Sequence, residues 1–449
     1  MKMPQPIRQL FDLEKQEFRI VSLSAIYFFL LLCAYYVLRP IRETMGISRS
    51  ADDLPYLFLG TMVTMLLLAP VIGGLVSKYK RSEFIPIVYR FIIICLLLFF
   101  TLLSVVSAEN LFYVGVIFYV WLSVMNMLII SLFWGFMSDG ISFKNSKRLF
   151  PSIAIGGTIG AIFGSTIAQQ FIDLLGQTYL LLVSAILFEV AARVMKKIDQ
   201  EFDSYPQTPA RLGESLTKWK IDKNSASKLS QWTSGIRFAI SSPYILGIAG
   251  YIFCYGITST FLYFQQGQLV AAATESSTER TQIFANIDIW SNAATLALQL
   301  FISRQLLMKF GIGFILLGLP LLTLSGFVAL SIAPTLAVLI IFQATRRSLN
   351  YGLFKPAREI LFTILPQEQK YKAKSFVDTF VYRGGDAIGA ITQKGLTAIQ
   401  LGIGSIALLV VPIAAFWSLL AIYLGKQANR IAEHESHSNQ FTGEEKVDE

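Results

Sequence analysis

The stretch FQATRRSLNYGLFKPAREILFTILPQEQKYKAKSFVDTFVYRGGDAIG, Phe342–Gly389, begins inside a strongly apolar segment. It then places Arg346, Arg347, Asn350, Lys355, Arg358 and Glu359 where a plain membrane span carries Leu and Val. A charge near the bilayer centre costs roughly 2.5–3.5 kcal/mol on insertion scales. Two adjacent arginines there call for a water-filled cavity, an ion pair or a bound anion. The bland alternative is a helix that ends early and leaves them in a cytoplasmic loop. Against it, Thr335–Gln343 is too short to span a bilayer alone.

The rest of the chain has the same character. Of 449 residues, 54% are apolar and 15% charged, against about 25% charged in soluble domains. This is the composition of an all-α polytopic membrane protein. The net charge is +9, but the basic residues sit in short loops between apolar runs. That pattern orients a protein in a bilayer, and no nucleic-acid partner is expected. Cys33, Cys95 and Cys254 lie singly in apolar runs and read as small hydrophobes. Both histidines, His434 and His437, fall in the polar tail. No metal site, cofactor or catalytic constellation is expected, so the chain does not read as an enzyme.

Apolar runs lie near Phe18–Leu38, Leu54–Val76, Phe84–Val106, Leu111–Met137, Leu149–Ile172 and Thr178–Val194. The first lacks a small-residue cleavage signature and reads as a retained helix. Six more follow a polar stretch: Tyr244–Phe264, Ile283–Ile302, Ile312–Ala333, Leu336–Phe354, Phe376–Gln400 and Ile403–Leu424. The predicted organisation is a six-helix bundle over 1–194, a cytoplasmic linker over 195–237, a second six-helix bundle over 238–425 and a polar cytoplasmic tail over 426–449. With both termini in the cytoplasm, the inner segments hold 27 of the 38 Lys and Arg residues, and the outer loops only Arg39, Arg42, Arg49 and Arg280. Loop Lys/Arg bias sets topology, here that of a multi-pass plasma (inner) membrane protein. Reporter fusions at Ser276 are expected to read outside and those at Lys220 inside. A Lys220 fusion reading outside overturns the two-bundle organisation.

An internal repeat points the same way. Asn126 leads through a basic turn to Gly156-Gly157-x-x-Gly160-Ala161. Asn350 leads through Lys370–Lys374 to Gly384-Gly385-x-x-x-Gly389-Ala390. Gly156, Gly160 and Gly164 recur every fourth residue. They follow no strand, so a dinucleotide fingerprint is set aside in favour of close helix approach. No GxxxxGK[ST] occurs, which argues against ATP hydrolysis by this chain.

The first span ends in Tyr35-Tyr36-Val37-Leu38-Arg39-Pro40-Ile41-Arg42-Glu43, with Tyr35, Arg39 and Arg42 on one helical face. Pro40 is expected to break the helix there, as a cavity lining permits. The competing reading has the arginines anchoring the outer interface. Span ten offers Gln343, Arg347 and Asn350 at the same spacing, with Arg346 beside them. Arginine suits bidentate capture of phosphate or carboxylate. Arg39, Arg42, Arg346, Arg347, Asn350 and Tyr35 are therefore the candidate substrate contacts, facing an anion in a cavity between the halves. Among the acidic residues in or beside spans, Glu43, Asp139, Asp288, Glu359 and Asp386, each can carry a proton or pair with an arginine. Glu359 with Arg358 or Lys355, and Asp386 with Arg383, read as structural pairs. Trp134 and Trp290 read as packing or interface residues rather than as base-stacking platforms.

Four stretches carry a family resemblance: YYVLRPIRET (Tyr35–Thr44); SLFWGF (Ser131–Phe136) with KRLFP (Lys147–Pro151); LFKPAREI (Leu353–Ile360); and EQKYKAKSFVDTFVYRGG (Glu368–Gly385). In these the chain resembles the nucleotide transporters (ATP/ADP translocases) of plastids and intracellular bacteria, and their bacterial relatives. The resemblance implies a major facilitator-like fold of twelve helices in two bundles, and nucleotide exchange. The family's first-span Arg, then Lys and Asp, is matched in charge by Arg39, Arg42 and Glu43. Its glutamate before span eight corresponds to Glu279, in a loose register. Its glutamate early in span four is Leu122 here, and Arg383 is followed by Gly384-Gly385-Asp386 in place of its lysine.

The expectation is a monomeric secondary transporter of an anionic phosphorylated metabolite, with ATP/ADP-type antiport first. Glu43, Glu279, Glu359, Arg383 and Asp386 are expected to gate or pair. A proton-coupled facilitator exporting amphiphiles or carboxylates is one alternative, and a membrane assembly protein with a transporter-like fold is another.

Overall fold

The computed structural model describes residues 15–48, 50, 53–78, 81–107, 110–141, 143–204, 242–301, 303–363, 377 and 381–444. The elements in order are α1 (Lys15–Gly46), α2 (Leu54–Lys78), α3 (Arg81–Val105), α4 (Leu111–Gly140), α5 (Phe143–Ser204), α6 (Pro243–Ala273), α7 (Ser277–Phe301), α8 (Ser303–Ile332), α9 (Leu336–Leu349), a π-turn (Asn350–Phe354), α10 (Lys355–Thr363), α11 (Tyr382–Ala398) and α12 (Ile403–Glu444). Helix α5 is interrupted at Gly176, with φ 73° and ψ 170°. Only glycine adopts that geometry freely, and it separates two arms, 143–175 and 177–204. Helix α9, the π-turn and α10 form one continuous rod. Counted so, the described residues form twelve rods at the twelve expected positions.

Seven described segments are both long and apolar enough to cross a membrane. Among the described residues α7 falls short because it buries Thr281, Asp288, Ser291, Asn292 and Thr295, and α9 because it has 14 residues. Large apolar side chains such as Leu67, Ile94, Ile117, Ile186, Phe314 and Leu419 point outward. A helix surface facing hydrocarbon has this composition, since its backbone polar groups are satisfied within the helix.

Two differences from the expected boundaries concern the site. Helix α1 does not break at Pro40. It runs on to Gly46 and carries Arg39 and Arg42 inside the helix rather than past its end. Pro40 forfeits one backbone bond, but the residues around it, Val37, Leu38 and Ile41, are fully buried and hold the helix by packing. Helix α5 continues past Val194 to Ser204 because Met195, Ile198 and Phe202 still face the core.

The chain packs as two compact units, the first made of 1–223 with 270–296 and the second of 224–269 with 297–449. Helix α7 up to Leu296 thus packs with α1–α5. In the first unit, glycines join α1 to α5. A Cβ added at Gly156, Gly160 or Gly164 would overlap the carbonyl oxygen of Ala25, Phe29 or Cys33, each one turn further along α1. The expected small-residue approach is therefore a backbone-to-backbone joint. Tyr27 and Tyr89 share a hydrogen bond beside it, and Phe28 stacks on Phe133 with centroids 4.1 Å apart. In the second unit Gly385 and Gly389 face Phe253, Gly256 and Ile257 of α6 in the same manner. Gly313 meets Gly425 between α8 and α12, and Tyr251 donates to the Leu316 carbonyl at 2.9 Å.

Candidate functional site

In the second unit, α9 begins at Thr335, whose side chain accepts from the Val338 N–H. The helix buries Leu339, Phe342 and Gln343 before it delivers Arg346, which is 4% exposed. The Arg346 guanidinium donates from Nε to Thr323 Oγ1 (3.1 Å), and from Nη2 to Thr258 Oγ1 (3.2 Å) and Ser259 Oγ (2.9 Å). Its carbon lies 5.1 Å from the centre of the Tyr255 ring. Each of the three hydroxyls gives its own hydrogen to a carbonyl of its own helix: Thr323 to Leu319, Thr258 to Cys254 and Ser259 to Tyr255. Their lone pairs are thereby left for the guanidinium. All these partners are neutral, and among the described residues no carboxylate pairs with Arg346. A buried cation in that state is electrostatically incomplete.

Asn350, the first residue of the π-turn, donates to the Tyr255 hydroxyl at 2.9 Å, so Tyr255 ties the amide to the guanidinium. A π-turn inserts a residue into the helical repeat, and such turns gather at functional sites. Arg347 is half-buried on the neighbouring face. On α11, Asp386 accepts from Thr260 Oγ1 and from Arg383 Nη1, both at 3.3 Å, so the expected Arg383–Asp386 pair is present. Gln393, two turns further along α11, is 1% exposed and has neither amide atom hydrogen-bonded. The side chains of Glu359 and Asp139 lie outside the described residues.

The first unit handles its arginines differently. Arg39 pairs with Asp288 of α7, and its Nε lies 3.8 Å from Glu43. Arg42 pairs with Glu43 and donates to Ser123 Oγ at 3.0 Å, and its carbon lies 4.9 Å from the Tyr119 ring centre. Both carboxylates are buried, and Tyr35 sits beneath the cluster at 5% exposure. Arg39 and Arg42 are therefore compensated, whereas Arg346 is not. Glu279 stands apart on the exposed first turn of α7, where a carboxylate suits the helix dipole. Trp134 packs among Phe28, Phe133 and Phe150, and Trp290 is 65% exposed.

Sequence reading did not reach Tyr255, Thr258, Ser259 or Thr323. The first three recur at i, i+3 and i+4 on α6, a polar stripe in an apolar span, which was the available signal.

Residues 105–332 match the family model described as TLC ATP/ADP transporter. The chain is 24% identical over 344 residues to "ADP,ATP carrier protein 1" of Chlamydia pneumoniae, covering 69% of this chain and 66% of that one. It is 23% identical to the chloroplastic "ADP,ATP carrier protein 1" of Arabidopsis thaliana over 71% of this chain and 55% of the relative. The chain thus spans just under two thirds of the chlamydial carrier's length and about half of the plant carrier's. Among solved structures it resembles an auto-inhibited POT family peptide transporter (TM-score 0.60, 13% identity, 92% of this chain and 97% of that chain). It also resembles the nucleoside transporter NupG (TM-score 0.54, 12% identity, 90% and 98%). These likenesses establish the expected fold: all-α, polytopic and major facilitator-like.

Proposed function

The chain belongs to the TLC ATP/ADP transporter family, and on that premise we propose that it is a secondary transporter exchanging one nucleotide for another. The observation that carries this reading is Arg346, buried and hydrogen-bonded only by neutral groups. A phosphate supplies the missing negative charge and suits the planar fork of the guanidinium. Asn350 and Tyr255 provide polar and aromatic surface beside it. The protein works as a monomer in the inner membrane with both termini cytoplasmic, and Arg347, Arg383 and Asp386 serve the same site.

Exchange rather than uniport follows from the same imbalance. An empty carrier must change conformation with an uncompensated buried charge, whereas a loaded one does so with the charge offset. Proteoliposomes preloaded with unlabelled ADP are expected to take up labelled ATP about tenfold faster than empty ones, a barrier difference of about 1.4 kcal/mol. Equal uptake by loaded and empty vesicles refutes exchange.

A further inference from the structure

Helix α7 follows the linker in the chain, yet residues 270–296 pack with the first unit. They do so along a line of side-chain hydrogen bonds. Thr281 meets Thr44 of α1, Oγ1 to Oγ1, at 2.9 Å. Gln282 donates to Asp173 of α5 at 2.8 Å, and Gln169 of α5 donates to Asn286 at 2.7 Å. The line ends at the Asp288–Arg39 pair, where Asp288 is 3% exposed.

This seam is built unlike the α1–α5 joint beside it. The glycine joint presses backbone on backbone and has no second arrangement. The α7 seam is held mainly by side chains, with Gln177 of α5 also reaching the Ser277 carbonyl and Thr281 Oγ1 of α7, both at 3.5 Å. Its donors have an alternative partner at hand in their own helix or in water. Thr281 donates to the Ser277 carbonyl of its own helix at 2.9 Å, and Gln282 and Gln169 are only part-buried, where water can replace a lost partner. The seam can therefore part without orphaning these donors, and an orphaned buried donor is what normally makes a polar interface hard to open. One group has no such fallback. Parting leaves Arg39 without Asp288, with the shared Glu43 and the Tyr36 ring near it.

We propose that Asp288 is a carboxylate latch that occupies Arg39 in place of the substrate's anionic group, and that α7 parts from α1 and α5 along this seam when an anion takes Arg39 over. The latch rests on the transporter reading above and extends it by assigning Asp288 a role in that cycle, with Thr281 and Thr44 marking where the seam opens. It also makes Arg39 a substrate contact only in the unlatched state.

Two measurements test it, both in a background with Cys33, Cys95 and Cys254 replaced by Ala. In the full-length Thr44→Cys/Thr281→Cys protein, oxidation is expected to bridge the seam and stop exchange at least tenfold, with reductant restoring it. In purified protein without nucleotide, a single Thr281→Cys thiol is buried and should react slowly with a maleimide. Adding Asp288→Asn should raise that rate about tenfold, whereas Asp288→Glu should leave it near the starting value. Bridged protein that exchanges at the reduced rate overturns the latch, as does equal labelling with and without Asp288→Asn. Failure of the transporter reading looks different: the labelling contrast is present, but the reduced double-cysteine protein exchanges no nucleotide.

Discussion

Arg346→Gln lowers nucleotide exchange about 100-fold or more while the protein still folds and inserts. Truncating one partner of a buried, hydrogen-bonded charge pair costs about 2–5 kcal/mol, and each 1.4 kcal/mol is tenfold. Glutamine can still donate to Thr258, Ser259 or Thr323, so the neutral hydrogen bonds of the empty site are largely kept. Removing a charge that lacks a counter-charge does not weaken the empty protein, so its melting temperature holds or rises. The shift in melting temperature on adding ATP, which reports binding to the folded state, disappears. Arg346→Lys falls between the two, because an ammonium keeps the charge but loses the fork. A Gln variant that inserts normally and exchanges at the native rate removes Arg346 from the site and, with it, the anion reading.

The second large effect concerns Gly160. A Cβ there falls on the Phe29 carbonyl oxygen, a backbone atom that cannot rotate aside. Gly160→Val adds three carbons at that point, and overpacking of a tight joint costs about 1–3 kcal/mol. A loss of one to two kcal/mol lowers the folded-to-unfolded ratio roughly 5- to 30-fold, so the melting temperature and the recovery of monodisperse protein after detergent extraction should both fall. Gly395→Ala is the control. Nothing lies within 4 Å of a Cβ at Gly395, and alanine is the better helix former, so yield and melting temperature should hold or improve. A Gly160→Val protein of native yield and melting temperature would mean that α1 and α5 do not approach through Gly160.

What could be read from the residues, and what could not, divides by kind of interaction. The rods were legible because span length is set by bilayer thickness and apolar runs of that length are conspicuous. Arg346 was legible because a guanidinium in an apolar run is anomalous on its face. Its partners were not, because Thr258, Ser259 and Thr323 can each satisfy a hydroxyl on their own helix and so look inert in sequence. Arg39 was legible as a charge, but not as half of a pair whose other half, Asp288, lies 249 residues away. The end of α1 was misplaced because a proline rule is local, whereas the burial of Val37, Leu38 and Ile41 that carries the helix past Pro40 is tertiary.

The π-turn at Asn350–Phe354 gives the tenth rod two independent phases. An α-helical residue advances about 100° around the axis, so a single added residue turns everything after it by about that angle. The half before the turn is phased to aim Arg346 at Tyr255, and the half after it to seat Ala357, Leu361 and Phe362 in the core. A continuous α-helix of the same composition serves one of these aims and misdirects the other. Changes of one residue in length within Asn350–Phe354 therefore re-aim the arginine against a fixed anchor, whereas point substitutions in either half do not. A chain with one residue added or removed at this turn is expected to keep the fold while the orientation of the cation changes.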